Sequence, residues 1–277
     1  MPVHDELGKR MKIYEAVPKT KLVRRMPVAI RLDGKAFHSF TRGMRKPFDK
    51  VLITTMQETM KYLCENIQGC VLGYTQSDEI TLILIDYKKI NSSAWFDDEV
   101  QKMCSISASM ATMAFNKFFA KNVKNEIFEY KTGFAPQCVE FQQEMEKYHT
   151  VLNNAVEKGA MFDSRVFNIP KEEVTNLVLW RQLDATRNSI QMVGQANFSH
   201  KELQGKSCNQ IQDMLHEQKN INWNNYPTTY KRGSCCIKVQ TADEQDKVIR
   251  SKWIIDNDIP IFKEGGRAYI DNLITIV

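Results

Sequence analysis

No apolar run in this 277-residue chain is long enough to cross a membrane, and the opening MPVHDELGKRMKIYE is charged and amphipathic rather than basic and then apolar. A membrane-spanning or secreted protein is therefore disfavoured, and a cytosolic location is expected. The seven cysteines, Cys64, Cys70, Cys104, Cys138, Cys208, Cys235 and Cys236, are odd in number and contain no C-x-x-C pair, so reduced, packed thiols are expected in place of a zinc site or a disulfide framework. Internal repeats, low-complexity tracts and a flexible linker are missing as well. The triplet Gly205-Lys206-Ser207 is no P-loop, because His200 stands where the earlier glycine is required and no apolar strand immediately precedes it. An excess of one charge is slight: 38 basic and 33 acidic residues give +5, compatible with a polyanionic partner but not diagnostic of one. With 43% hydrophobic and 26% charged residues, the composition is that of a soluble globular protein with a sizeable core, built as one large domain or two tightly joined ones.

Periodicity supplies the organisation. Pro27 opens an apolar run, Val28 to Leu32, that stops at Asp33-Gly34, which reads as a strand entering a tight turn. Leu52, Met56, Met60, Leu63 and Ile67 recur at helical spacing. Val71 to Thr75, the polar Gln76-Ser77-Asp78-Glu79, and Ile80 to Ile85 read as a β-hairpin with an acidic tip. A second long helix is predicted around 99–121, with Met103, Ile106, Met110, Met113 and Phe118 as its buried stripe. A third follows Pro170, its continuation placing Arg181, Asp184, Asn188 and Gln191 on a polar, solvated face. The segment from about Asp243 alternates polar and apolar residues without a chemical motif. Strand, helix, hairpin and helix in that order predict an α+β layer, helices against an antiparallel sheet.

Two carboxylates stand where strands stop, Asp33 after the first strand and Asp78 at the hairpin tip. If the hairpin pairs beside the first strand they converge, and such a pair suits one or two Mg²⁺ ions held against a triphosphate. Glu79 is a weaker candidate, since neighbouring strand residues point to opposite faces. The glycine in Asp33-Gly34-Lys35-Ala36-Phe37-His38 lets backbone N–H groups converge on phosphate oxygens, to which Lys46 and Lys102 could add point charges. Asn222 to Pro227, followed by Tyr230-Lys231-Arg232-Gly233, mixes amide, aromatic and basic side chains of the kinds that stack on bases and hold phosphates. Turn-forming aspartates, surface lysines and a surface loop are the alternatives for these same residues, and to this point the sequence supports no more than a phosphate-handling enzyme.

Ile30 to Phe40, Lys46-Pro47-Phe48-Asp49 and Gly73 to Glu79 together resemble, in order and spacing, the motifs of the tRNA-histidine guanylyltransferase superfamily. Weaker echoes follow in Trp95-Phe96 ahead of Lys102, in Phe162 to Val166, in Trp180-Arg181-Gln182 and in Ile221 to Gly233, so that the resemblance spans most of residues 7–238. It implies a polymerase-palm-like catalytic core with two Mg²⁺ ions held by Asp33, Asp78 and the Gly34 carbonyl. It also implies nucleotide and triphosphate contacts from Gly34, Lys35, Ala36, Phe37, His38, Lys46, Ser77, Lys102, Arg165, Asn188 and Asn222, tRNA contacts from Lys231 and Arg232, and a homotetramer. ATP, GTP and other nucleoside triphosphates would be the substrates with tRNA. ATP would adenylylate a tRNA 5′-monophosphate, and the 3′-hydroxyl of an incoming nucleotide would then expel AMP.

The sequence departs from the eukaryotic guanylyltransferases after Trp180-Arg181-Gln182. Their His-Ile-Asn-Asn-Leu-Tyr-Asn stretch is replaced by Thr186-Arg187-Asn188-Ser189-Ile190-Gln191-Met192, which keeps only the asparagine at 188. Leu7 to Lys12 with Tyr14-Glu15 also looks like the bacterial and archaeal guanylyltransferase-like branch. The expectation is therefore templated 3′-to-5′ addition to truncated tRNA, the alternatives being single-G addition to tRNA-His, a palm-fold nucleotide cyclase, or a non-catalytic RNA-binding module. The expected parts are a palm-like core at 1–145, a family-specific part at 146–240 completing the nucleotide and tRNA site, and an extension at 241–277, the C-terminal part being mainly helical.

Overall fold

The computed structural model describes residues 3–132, 139–242 and 249–275. Ten helices and six strands are described. Helices α1 (Val3–Ala16), α2 (Phe37–Phe40), α3 (Lys50–Asn66), α4 (Val100–Thr132) and α5 (Val139–Lys158) belong to the first half, with strands β1 (Val28–Gly34), β2 (Cys70–Gln76) and β3 (Glu79–Leu84) among them. The second half contributes β4 (Phe162–Asn168), α6 (Val174–Asn197), α7 (His200–Leu203), α8 (Cys208–Lys219), α9 (Thr228–Arg232), β5 (Ser234–Ala242), β6 (Ile249–Asp256) and α10 (Ala268–Ile274). The strands form one sheet in the order β4-β1-β3-β2-β5-β6, antiparallel at every junction. The predicted α+β architecture is what the chain adopts. The C-terminal part is helical in α6 to α10 but also adds β5 and β6 to the sheet. The alternation read from Asp243 onward is that of β6, although 243–248 lie outside the described residues.

Alternation along the central strands sorts side chains to two cores. Val28, Ile30, Leu32, Leu82 and Leu84 face α3 and α4, while Ala29, Leu72, Tyr74, Ile83 and Cys235 face α6 and α10. Each fully buried Leu or Ile in these layers contributes roughly 2–3 kcal/mol of transfer free energy. A third cluster, Ile190, Val193, Phe198, Ile211, Leu215 and Trp223, fastens α8 to the second half of α6.

The stripe predicted for the second long helix is only partly buried. Met103 is fully covered, but Ile106 and Met113 are exposed, and the inward face of α4 is instead Met103, Ser107, Ala111, Phe115 and Phe119. Methionine count pointed to the wrong phase because small residues let α4 approach the sheet closely. The described cysteines Cys64, Cys70, Cys104, Cys208, Cys235 and Cys236 are free thiols; Cys138 lies outside the described residues.

Candidate active site

The strand register brings carboxylates together at one end of the sheet. Asp33, the penultimate residue of β1, lies opposite Asp163 on β4 and opposite Glu79 on β3. The predicted four-residue hairpin tip is tighter than expected: β2 runs through Gln76 and β3 begins at Glu79, so only Ser77 and Asp78 turn the chain, with Ser77 in the left-handed region at φ 51°. The Gly34 N–H donates to the Asp78 carbonyl at 3.1 Å, tying the end of β1 to the turn that carries the second aspartate. Burial, followed by the charges of Glu79 and Asp163, raises the pKa of Asp33. That of Asp78 is pushed up to about 6 by burial, opposed by the Ser77 hydroxyl that donates to it at 3.0 Å and reinforced by Asp33 and Glu79. Ionising either aspartate is thus costly, the charges of Arg31 and Arg165 offsetting only part of that cost at Asp33.

Glu79 differs. It shares a sheet face with Asp33, but its carboxylate is already occupied: Arg31 Nε donates to it at 2.9 Å with a second, very short contact from Arg31 Nη2, and Arg181 Nη1 donates at 2.7 and 3.1 Å. Arg181, expected on a solvated face of its helix, is 5% exposed and lies under the ring of Trp180, its guanidinium carbon 3.7 Å from the ring centroid. A helical wheel could not reveal this, because the burying partner comes from a strand about a hundred residues earlier. The available signal was Arg31, a charge inside an otherwise apolar strand, two residues before Asp33 and so on its face.

The loop after β1 wraps the other side of the carboxylates. A Cβ added at Gly34 would lie 2.3 Å from the Phe37 ring, so only glycine allows this close approach, and Ala36 adopts φ 55° as the chain turns into α2. The Phe37 ring packs against Phe40, Phe115 and Phe162 at 5.0, 5.4 and 5.3 Å between centroids. The Phe37 ring is therefore committed to the core, and only its backbone is left for the expected nucleotide contact. His38, Lys46, Ser77 and Asp78 line a cleft of about 320 Å³ with Arg45 and Asp49, and Lys35 and Ala36 are exposed just outside it. Asp49 starts α3 by accepting from the Leu52 N–H at 3.1 Å, and also accepts from the Arg45 N–H and the Tyr148 hydroxyl, which fixes the floor of the cleft. A second, smaller hollow adjoins it between α3, the hairpin tip, α6 and α9, with Asn188, Ser77, Met192 and Tyr230 in its walls.

The remaining predicted residues fall in several places. Arg165, exposed on β4 opposite Arg31, stands two residues from the Asp163 that flanks Asp33. Lys102 is not at the cleft: it lies on the first turn of α4, at the Val28 end of the sheet, with its ammonium 5.1 Å from the Phe96 ring. Asn222 is exposed and caps a 3-10 turn, accepting from the Asn224 N–H at 3.0 Å. Lys231 points inward, donating to the Asn224 carbonyl at 2.6 Å with its ammonium over the buried Trp223 ring, and burial lowers its pKa. The half-buried Arg232 presents its carbonyl to the Tyr74 hydroxyl at 2.6 Å. Trp223 itself donates to the Ser189 hydroxyl at 3.0 Å, so this ring holds α6 to the following turn.

For a metal ion, Asp33, Asp78 and the Gly34 carbonyl supply hard oxygens. Among the described residues no three His, Cys, Asp or Glu side chains converge on one point. A cation here must complete its shell with phosphate oxygens and water, which is magnesium's habit rather than zinc's.

Comparison with known proteins agrees with this geometry. A bacterial tRNA(His) guanylyltransferase-like protein solved in complex with ATP is 39% identical, covers 98% of this chain and 100% of its own, and superposes with a TM-score of 0.77. A bacterial guanylyltransferase-like protein solved in complex with GTP is 36% identical over the same shares, with a TM-score of 0.73. A probable tRNA(His) guanylyltransferase of Dictyostelium discoideum is 26% identical over 91% of this chain and 92% of its own. The model of the Thg1 tRNAHis guanylyltransferase family matches residues 8–170. With its paired aspartates, glycine turn and nucleotide-sized cleft, the chain belongs to the Thg1 family of tRNA guanylyltransferase-like nucleotidyltransferases.

Proposed function

We propose that this enzyme repairs the 5′ ends of truncated tRNAs by templated 3′-to-5′ nucleotide addition. The observation that carries the reading is the convergence of Asp33 and Asp78 beside a cleft bearing His38, Lys46 and Ser77, in a fold shared with bacterial proteins solved with ATP and with GTP. The near-complete replacement of the eukaryotic His-Ile-Asn-Asn-Leu-Tyr-Asn stretch by Thr186 to Met192 supports broad rather than tRNA-His-restricted action.

Two Mg²⁺ ions, when bound to Asp33, Asp78 and the Gly34 carbonyl, would lower the charge barrier to attack on phosphorus and stabilise the departing oxygen. The chain's own groups do the positioning. The Lys35 N–H is tied to the Met161 carbonyl at 2.8 Å, which leaves the backbone N–H groups of Ala36 to His38 for the triphosphate, while Lys46 adds a point charge and the Ser77 hydroxyl orients the Asp78 carboxylate. Arg31 and Arg181 hold Glu79 away from metal ligation. Arg165 balances the carboxylates from the β4 side, and Lys231, turned inward, shapes the loop instead of meeting RNA phosphates directly.

A second reading, addition of a single G to tRNA-His, is favoured by the family description and by relatives such as the probable tRNA(His) guanylyltransferase of Dictyostelium discoideum. Purified protein with Mg²⁺, ATP, all four nucleotides and several tRNAs lacking their first 5′ nucleotide decides between them at single-nucleotide resolution. Restoration of whichever base the opposite strand dictates is expected. Addition of G alone, and only to tRNA-His, would establish the second reading.

A further inference from the structure

Trp180 is a large aromatic side chain left 51% exposed beside a catalytic centre. Its ring is not loose: the guanidinium carbons of Arg181 and Arg31 lie 3.7 and 5.3 Å from its centroid, and both arginines are pinned by Glu79. Such cation–π contacts hold the indole at a set orientation. One turn and two turns further along α6, Leu183 and Arg187 are exposed on the same stripe, with Arg165 exposed on the neighbouring β4. A rigid aromatic face, an apolar neighbour and flanking guanidiniums make up the surface on which nucleobases stack while phosphates are held.

Its location separates it from the nucleotide cleft. Arg31, which touches the ring, is two residues from Asp33, whereas Trp180 lines neither of the hollows that meet at Ser77. Met192, which lines both, is twelve residues further along α6, about 18 Å at 1.5 Å per residue. In-line phosphoryl transfer requires the attacking and leaving groups to approach phosphorus from opposite directions. A nucleoside triphosphate in the cleft thus leaves the Trp180 side for the other reactant, the RNA end.

Building on the proposed function, we propose that the exposed indole of Trp180 stacks on the terminal base of the RNA acceptor stem and seats the 5′-phosphate at Asp33 and Asp78. This makes Trp180 a specificity and positioning element for duplex RNA ends, distinct from the nucleotide site.

The test uses the full chain and a hairpin RNA mimicking an acceptor stem with a 5′-monophosphate. Trp95 and Trp223 are buried and Trp253 is half-buried, so subtracting the emission of W180F from that of the wild type isolates the exposed ring. Quenching of that component by the hairpin and not by ATP is expected. W180L should weaken hairpin binding about tenfold while leaving ATP affinity unchanged, and W180F should restore most of it, because stacking needs an aromatic face and not merely apolar volume. Wild type that extends the hairpin while the Trp180 emission stays still and W180L binds normally would overturn the stacking proposal and leave the proposed function intact. Wild type that neither binds nor extends the hairpin would overturn both. Emission that follows protein concentration instead of RNA would overturn the proposal in favour of a second copy covering the ring.

Discussion

Asp33 and Asp78 are equivalent in the sequence, each an acid at a strand end, but their surroundings differ from those of Glu79 next door. Glu79 is paired with Arg31 and Arg181; the two aspartates are buried enough, and close enough to other acids, that ionising them is costly. For Asp78 the folded-state pKa of about 6 exceeds the ordinary 3.8, so the folded state binds the proton more tightly than the unfolded chain. Its contribution to stability is therefore favourable at low pH and is lost as pH rises from near 4 through about 6. Mg²⁺ should reverse this loss, since a cation favours the ionised form. Thermal melts with and without Mg²⁺ should show a larger metal-induced rise in melting temperature at pH 7.5 than at pH 5; an equal rise at both would exclude Asp78 as a ligand. D78N should melt no lower than the wild type without metal, lose the Mg²⁺ response, and slow nucleotide addition by at least about a hundredfold. These aspartates were legible in the sequence, because a carboxylate after an apolar run and another in a polar turn need only the pairing of two neighbouring strands to meet. The roles of Lys102 and Lys231 were not, because a lysine's name does not say whether its ammonium faces a cleft, a ring or a carbonyl.

At the scale of elements, α6 joins the two halves of the site. Arg181 reaches the sheet through Glu79 and lies 3.5 Å from Asp184, while Asn188 and Met192, two and three turns on, wall the hollow beside the hairpin tip. Its guanidinium is nearly enclosed, so removing it leaves a buried carboxylate with Arg31 as its remaining cationic partner. R181M should destabilise the fold by roughly 3 kcal/mol, measured by urea unfolding, as expected for breaking a buried ion pair from one side. It should also slow addition, since Glu79 would then turn toward Asp33; a variant with wild-type stability and rate would remove Arg181 from the framework. The helix itself was legible from Val174, Leu177 and Trp180, but not which side of it would be buried. That was set by a strand charge that no local window contains.

For the whole molecule, one antiparallel sheet carries strands from both halves of the chain, with β1 beside the edge strand β4 and β6 at the opposite edge. No described helix is long and apolar enough to cross a membrane. Ile106, Met113 and Phe128 leave apolar surface exposed along α4, and we propose that a second copy covers it in the homotetramer that the family resemblance implies. Light scattering coupled to gel filtration should give a mass near four times 32.1 kDa, and a monomeric mass would refute that assembly.

Period-two and helical spacing, the stop at Asp33-Gly34 and the acidic turn at Asp78 determined by themselves the α+β class and the hairpin, and set two carboxylates at strand ends; their proposed role as a metal pair came from the family resemblance. These are local facts, written within a dozen residues and enforced by backbone geometry. Only the tertiary structure decided that Glu79 is neutralised, that Arg181 is buried, that Trp180 is held rigid in solvent and that Lys231 points inward. Each of those depends on which distant strand or helix supplies a partner, and the free energy of a charge or a ring is set by that partner rather than by its own neighbours in the chain.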